Sequence, residues 1–281
     1  MKKQNALITT ILLCSSLLIL MGCTSNPLGE DEISPGSRKI MGAVELENNT
    51  PGRVFVWLDG FNQGTFTEPD GSFSLTLPRG NDDVSGVFRL YFYVANYELD
   101  FVEVVVKDGS FEFGQAALNS RGELRAKKRL KQFLEVSTRV TPSVVNANAT
   151  TNINITVALR TVDDVDSATV VFPNTTAGFL GPVFFQNVET EEVFIFQGLP
   201  GVSTKEVVLI GLAGLQRSLT LPFVSLNLPP ANYEVIPYIL VKHEVVPQEL
   251  IESIGANIET LGPNYLRLPF ERVGGDLLVQ E

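Results

Sequence analysis

Alternating hydrophobic and polar positions mark the chain soon after residue 39. In VFVWLDG, residues 54–60, Phe55 and Trp57 project to one side, while the apolar residues around them project to the other. In SFSLTLP, residues 72–78, three apolar residues alternate with Ser and Thr. A period of two is typical of β-strands with one buried face. The pattern therefore predicts short, half-buried strands in this region.

The stretch TFTEPDGSFSLTLP, residues 65–78, places an Asp-Gly pair between two such segments. Asp-Gly accommodates a positive φ at little cost and commonly joins antiparallel strands, which predicts strand, tight turn, strand. A calcium loop of the EF-hand type needs further oxygen ligands before the glycine and a Glu at its end, and Pro69 interrupts that pattern. The stretch also lacks the glycine and lysine spacing of a phosphate-binding loop.

The order of these features resembles the carboxypeptidase regulatory-like domain, a small transthyretin-like β-sandwich. The matching segments are Gly42-Ala43-Val44, Val54-Phe55-Val56, Thr65 and Thr67, Asp70-Gly71-Ser72-Phe73, and Leu75-Thr76-Leu77-Pro78. Ala95-Asn96-Tyr97 looks like the Gly-Tyr turn of that family, whereas Glu68-Pro69 departs from its usual Asp after Thr. The resemblance covers residues 39–118 and implies a module for folding and spacing, without catalysis.

Residues 119–135, NSRGELRAKKRLKQFLE, form a strongly basic run. The spacing of their apolar residues does not distinguish a helix from a strand. Two interpretations stay open: a docking patch for an acidic partner or a phospholipid headgroup, and a solvated connecting segment balanced by acidic surroundings. Runs of charge are usually solvated faces, which favours the connecting segment.

Strand patterns return over residues 136–281, at intervals typical of a sandwich. INITVALRT, residues 153–161, alternates clearly, and further strands are predicted at 192–197, 205–213, 217–226, 232–241 and 264–270. The pattern resembles Ig-like or fibronectin-like domains, with Tyr233 on their tyrosine-bearing late strand. The cysteine pair of that signature is missing, so the topology stays open. Apolar residues at helical spacing predict one short helix near 247–260. The predicted fold class is all-β, with two tandem β-sandwich domains.

The chain begins MKKQNALITTILLCSSLLILMGCTSNP, a positive start followed by an apolar run from Ala6 to Met21. The run is shorter than the roughly 20 residues of a membrane-spanning helix, and the pattern is that of a secretory signal. Leu20-Met21-Gly22-Cys23 resembles a bacterial lipobox. The resemblance implies a signal peptide at residues 1–22 and lipid, palmitate included, on Cys23. A plain signal peptide with an incidental cysteine is the alternative.

More than one acyl chain anchors a protein to a membrane stably without spanning it. Residues 23–38 carry two Pro, two Gly and an acidic run, which predicts a flexible tether between the lipid and the folded body. In enteric bacteria, an Asp directly after the lipidated cysteine is the usual signal for retention in the inner membrane. Thr24 stands at that position here, which favours the outer membrane. We expect a lipid-anchored protein of the cell envelope.

Composition narrows the partners further. The net charge is −11 at pH 7, whereas nucleic-acid binding needs clustered positive charge, so a nucleic-acid partner is not expected. The only two cysteines are Cys14 and Cys23, which leaves the folded body without disulfides or thiol chemistry. No cofactor-binding pattern is present, and none is expected.

Few residues point to chemistry. Asp163, Asp164 and Asp166 lie in one turn, where they match either a weak calcium site or, as short acidic turns commonly do, a solvated turn. His243, the only histidine, has no partner pattern, which favours a structural or surface role. The chain lacks the common hydrolase motifs, so we expect a protein that is not an enzyme.

The most promising loop is PNTTAGFLGPVFFQNV, residues 173–188, with Phe179, Phe184 and Phe185. Exposed aromatic residues on a loop stack on sugars or dock a partner. The alternative places Phe184 and Phe185 on a strand, with at least one in the core. The sequence therefore predicts a lipid-anchored binding or scaffold protein with a protein or glycan partner. An enzyme or accessory subunit in envelope glycan processing, and a spacer without a ligand, are the alternatives.

Overall fold

The computed structural model describes residues 37–47, 53–163, 165–176, 178–198, 204–243 and 245–281. Strands predominate in these ranges and are numbered β1 to β20 along the chain. The described helices are α1 (Gln248–Ile254) and two 3-10 helices, Phe223–Leu226 and Pro263–Arg267. The prediction of an all-β fold with one short helix near 247–260 is confirmed. The predicted signal peptide, Cys23 and all but the last two residues of the tether lie outside the described residues.

Two sheets form the first sandwich. The smaller has the order β4-β1-β8, with ranges Ser72–Thr76, Lys39–Leu46 and Lys128–Leu130. The larger has the order β3-β2-β5-β6-β7, with ranges Gln63–Phe66, Phe55–Leu58, Gly86–Tyr93, Asp100–Lys107 and Ser110–Phe111. Alternate apolar residues of both sheets, such as Val44, Leu75, Val56, Phe92 and Val104, meet in one buried core. This is the arrangement expected for strands with one apolar face each.

The Asp-Gly turn at 70–71 changes sheets instead of closing a hairpin. Asp70 Oδ1 accepts the amide of Ser72 at 2.8 Å, and Gly71 has a φ of 81°. However, β3 pairs with β2 and β4 pairs with β1, so the two flanking strands lie on opposite sides of the core. The prediction of strand, tight turn, strand is confirmed, but the two strands do not pair with each other. Each strand turns its apolar face to the core. Two sheets that face each other bury both apolar faces more completely than a two-stranded hairpin would.

The basic segment continues the first sandwich. Residues 128–130 form β8, which pairs in parallel with β1, so the smaller sheet extends through Leu130. Lys128 Nζ lies 2.7 Å from a carboxylate oxygen of Asp100, and Lys127 Nζ lies 3.8 Å from one of Glu45. These charges therefore have acidic neighbours within the same sandwich.

Three sheets build the second half. The first has the order β16-β11-β9-β19, with ranges Leu215–Pro222, Asn152–Thr161, Leu134–Thr141 and Val273–Gly274. The second has the order β10-β20-β17-β13-β14, with ranges Val144–Asn146, Asp276–Gln280, Ala231–Pro237, Val183–Asn187 and Val193–Phe196. The third has the order β15-β12-β18, with ranges Glu206–Ile210, Ala168–Phe172 and Leu240–Val241. Residues from all three share one core.

Two details of the second half bear on the sequence analysis. The hydroxyl of Tyr233 donates to the carbonyl oxygen of Pro229 at 2.8 Å, four residues upstream, as in the tyrosine corner of Ig-like domains. The strand predicted at 264–270 is wrong, because Pro263–Arg267 is a 3-10 helix and the last strand is β20. Pro263 in the first helical turn explains this, since its fixed φ favours a helical start.

In the larger sheet of the first sandwich, the face turned away from the first core is also buried. The sequence had predicted strands with only one buried face. All four residues of β2 are buried. Val56 and Leu58 belong to the first core, whereas Phe55 and Trp57 belong to the core of the second half, together with Tyr93 of β5. The two sandwiches therefore share this sheet as a common wall and belong to one compact unit.

The turn after β5 forms hydrogen bonds with backbone groups of the second half. Asn96 is 0% exposed, and its side-chain amide donates to the carbonyl oxygens of Leu134 at 2.9 Å and Glu271 at 3.0 Å. Its Oδ1 accepts the amide of Glu271 at 3.0 Å. The neighbouring amide of Ala95 donates to the carbonyl oxygen of Pro269 at 2.7 Å. A single asparagine thus joins the end of β5 to two distant segments of the second half.

Replacing Asn96 tests this joint. Asn96→Ala removes three side-chain hydrogen bonds in a buried site, where each unpaired partner costs about 1–3 kcal/mol. We expect the free energy of unfolding, measured by urea denaturation, to fall by about 3 kcal/mol or more. Asn152→Ala, at an exposed position of β11, is the control. A loss within about 0.5 kcal/mol for both variants, ordinary for surface changes, would contradict the role of Asn96.

Candidate functional site

The loop between β12 and β13, residues 173–182, is shorter than predicted, and it carries one of the three phenylalanines. Phe184 and Phe185 lie in β13 and are 0% and 1% exposed, so the alternative that places them on a core strand is confirmed, and neither ring is available to a partner. β13 is an inner strand between β17 and β14. The ring of Phe184 stacks on Tyr265 at 5.2 Å between centroids, which shows that the C-terminal segment covers this face of the strand.

Phe179 is presented to solvent by an ordered loop. Its side chain is 57% exposed, while the next residue, Leu180, is buried. The hydroxyl of Thr175 donates to the carbonyl oxygen of Phe179 at 2.7 Å. The amide of Phe179 donates to the carbonyl oxygen of Thr176 at 2.9 Å. The amide of Leu180 reaches the carbonyl oxygen of Ser218 on β16 at 3.2 Å. The backbone that carries the exposed ring is therefore hydrogen-bonded on both sides.

An ion pair supports the same loop from below. Arg217 of β16 is buried, and its Nη2 donates to Oε1 of Glu206 at 2.7 Å. The other carboxylate oxygen of Glu206 accepts the amide of Gly178 at 3.3 Å. The guanidinium also lies 5.5 Å from the ring centre of Phe172, within range of a cation–π contact. One carboxylate thus connects the loop to two strands of the second half.

The acidic turn does not form a visible cluster. Asp163 and Asp166 lie between β11 and β12, and Asp164 is outside the described residues. Across the described ranges, no three His, Cys, Asp or Glu side chains are grouped closely enough to hold a metal ion.

His243 lies at the junction of the two halves, a contact that its sequence surroundings did not indicate. Its ring packs edge-on against Tyr93 and Phe133, with centroids 5.6 and 5.4 Å away. Nε2 lies 2.7 Å from the carbonyl oxygen of Ala95 and must donate, because a carbonyl only accepts. Burial lowers the pKa of His243, an effect that this hydrogen bond partly offsets. The imidazole is therefore neutral at pH 7, with Nδ1 as a free acceptor.

A small cleft opens beside His243, with a volume of about 240 Å³. Its lining combines apolar residues of β12, β18 and α1 with polar side chains that include Tyr93, Lys205, Lys242 and Glu259. Burial, followed by the nearby charge of Glu259 and by Tyr265, raises the pKa of Tyr93, so its hydroxyl stays protonated in neutral solution. Sequence reasoning missed this site because its residues come from distant parts of the chain.

A larger cleft, of about 450 Å³, lies along β9 and β11. Its charges are largely engaged within the protein. Arg160 Nη2 lies 2.6 Å from Oε2 of Glu135, and Arg272 donates to the hydroxyl of Tyr265 at 2.8 Å and to the carbonyl oxygen of Phe270 at 3.2 Å. Burial raises the pKa of the remaining carboxyl group, Glu271, against the opposing charge of Arg272. This cleft offers fewer free polar groups than the smaller one.

Among comparisons with known proteins, only the search of solved structures gave matches to this chain. No protein-family model matches it, and no curated protein matches it. One solved structure with some similarity is AggA, the major subunit of aggregative adherence fimbriae type I from Escherichia coli. The identity is 16%, the alignment covers 36% of this chain and 77% of that chain, and the TM-score is 0.25. A TM-score this low supports no inference about function. Within the described ranges, no helix is long and apolar enough to cross a membrane.

The single histidine allows a direct test of the junction. The folded-state pKa of His243 lies below the unfolded value of about 6.5, so the unfolded chain binds the proton first as the pH falls. We expect the contribution of His243 to the free energy of unfolding to be constant above about pH 6.5 and to decrease below it, until the folded pKa is reached. An NMR titration of the one imidazole measures that pKa.

Urea unfolding across the same pH range measures the loss of stability. His243→Gln keeps a donor for the carbonyl oxygen of Ala95 and removes the titration, so this part of the pH dependence should disappear. Glu271 acts in the opposite direction at lower pH, because its raised pKa makes the folded state bind the proton first. An imidazole pKa at or above about 6.5 would show that the ring is not buried as described.

Proposed function

We propose that this protein is a lipid-anchored binding or scaffold protein of the bacterial cell envelope, without catalytic activity of its own. It engages a protein or glycan partner through the loop at residues 173–182. The observation that carries the proposal is the exposed ring of Phe179 on a loop held by hydrogen bonds and by the pair of Glu206 and Arg217. An aromatic side chain has few rotatable bonds, so on a backbone held in place it loses little entropy on binding and supplies a large apolar contact.

The body suits such a role because the two sandwiches form one unit. The shared sheet and the joint at Asn96 hold the halves together, so a partner bound to the second half is held at a defined position relative to the first. A rigid body on a flexible lipid tether presents a site in a fixed shape while searching the space near a membrane. The kinships that we propose are those suggested by the sequence, a carboxypeptidase regulatory-like first sandwich and an Ig-like second half. For the second half, the tyrosine corner at Tyr233 is the supporting contact.

The lipid anchor is tested through Cys23. Cys23→Ser removes the thiol that would carry the lipid, and we expect the protein to move from the membrane fraction to the soluble fraction of lysed cells. Labelling with an alkyne analogue of palmitate should mark the native chain and leave the variant unmarked. Protease shaving of intact cells then separates outward from periplasmic exposure. A variant that stays in the membrane fraction would contradict the anchor.

Partner binding is tested by placing a photo-crosslinking phenylalanine analogue at position 179 in intact cells. We expect a specific adduct, and we expect Phe179→Ser to weaken retention of the protein on purified envelope glycan if the partner is a glycan. Because the ring is more than half exposed, Phe179→Ser should change the free energy of unfolding by no more than about 0.5 kcal/mol.

The same analogue at Val188, which is 62% exposed beyond β13, serves as the matched control. Equal adducts at both positions would indicate random encounters. No adduct at position 179, together with unchanged glycan retention by Phe179→Ser, would favour the spacer over the binding protein.

A further inference from the structure

The small cleft at the junction contains polar groups that the fold itself does not use. It lies between the three-stranded sheet β15-β12-β18, helix α1 and the end of β5. Val171 and Leu240 face each other across two of these strands and form part of the wall, and Ile251 of α1 contributes to the opposite side. The cleft is separate from the loop that carries Phe179.

The hydroxyl of Tyr93 is the central observation. Tyr93 is 3% exposed, and its ring is packed against His243 and the core of the second half. Its hydroxyl makes no hydrogen bond with any described residue, yet it is not among the polar atoms that are fully enclosed without a partner. It therefore opens into the cleft that Tyr93 lines. A hydroxyl that faces a cleft is available to bond to water or to a ligand that displaces the water.

His243 adds an acceptor of fixed identity. Its Nε2–H is committed to the carbonyl oxygen of Ala95, so Nδ1 has a lone pair and no proton. Like the hydroxyl of Tyr93, Nδ1 has no partner among the described residues and is not fully enclosed. The cleft therefore offers one acceptor beside one group that both donates and accepts.

The mouth of the cleft carries the charge. Lys205 and Lys242 are exposed and form no ion pair with any described residue, and Glu259 is the one carboxylate of the described lining. Among the described lining residues, two lysines therefore face one carboxylate, on a chain whose net charge is −11. A positive site on an acidic protein favours a ligand with one negative group.

We propose that this cleft binds one acidic sugar ring, a hexuronate, with its carboxylate at Lys205 and Lys242 and its hydroxyl groups at Tyr93, His243 and Glu259. Sugar hydroxyls both donate and accept, which matches the mixture of donors and acceptors. Inorganic phosphate could pair with the two lysines, but it has no ring to pack against the apolar wall of Val171, Leu240 and Ile251. The volume corresponds to about eight water molecules at roughly 30 Å³ each, below the roughly 300 Å³ of pockets for larger ligands, so it suits one ring.

The one imidazole of the chain lies in the site and serves as the reporter. The purified full-length protein in detergent is titrated with glucuronate, glucose and inorganic phosphate, and the NMR signals of His243 are followed. We expect glucuronate to shift them with saturation and glucose to bind at least about tenfold more weakly, the effect of one lost ionic contact of about 1.4 kcal/mol. Phosphate should bind more weakly than glucuronate, because it makes no contact with the apolar wall.

Tyr93→Phe removes only the free hydroxyl and keeps the packed ring, so the melting temperature should not fall while affinity for glucuronate drops about tenfold. Lys242→Gln should weaken the binding of glucuronate and leave the binding of glucose unchanged. Lys131→Gln, at an exposed position of the basic segment, is the matched control.

Binding of glucose as tight as that of glucuronate would overturn the specificity for an acidic sugar. Equal or tighter binding of phosphate would reduce the site to a general anion site. No shift with any ligand, or undiminished binding by Tyr93→Phe, would overturn the proposal, and partner binding at Phe179 would be unaffected.

Discussion

The structure depends on burying both faces of the larger sheet in the first sandwich. Val56 and Leu58 fill the first core from one face, and Phe55, Trp57 and Tyr93 fill the second core from the other. Full burial of a large apolar side chain contributes about 1.5–3 kcal/mol, so these aromatic residues stabilise the joint between the halves as strongly as a core stabilises a domain. The hydrogen bonds of Asn96 then determine how the halves align, because a buried amide left unpaired is costly.

This shared wall also creates the cleft beside His243. The end of β5 brings Tyr93 from the first sandwich against residues of the second, and the imidazole fills the space between Tyr93 and Phe133. Where the packing ends, polar atoms remain that neither half satisfies. A junction between two cores is a common place for a ligand site, because the two surfaces meet with less regular packing than strands within one sheet.

The Phe179 loop has a different physical origin. Its supports, Glu206, Arg217 and the carbonyl oxygen of Ser218, all belong to the second half. The geometry of the loop therefore depends on the local ion pair and backbone hydrogen bonds, and these supports do not include contacts at the junction of the two halves. The two sites can consequently be altered independently, the loop through its exposed ring and the cleft through the hydroxyl of Tyr93.

The residue pattern was enough to predict the all-β class, the turn chemistry at Asp70 and Gly71, the alternation along β11 and the short helix near 247–260, because these follow from local periodicity and backbone preferences. It also placed Phe179 correctly in a loop. The folded structure was needed to show that Phe55 and Trp57 are buried, that Phe184 and Phe185 are covered by the C-terminal segment, and that the strands around residue 70 lie in different sheets. Periodicity shows that a residue has two faces to choose between, whereas which faces are covered depends on packing between segments that lie more than a hundred residues apart, such as Ala95 and His243.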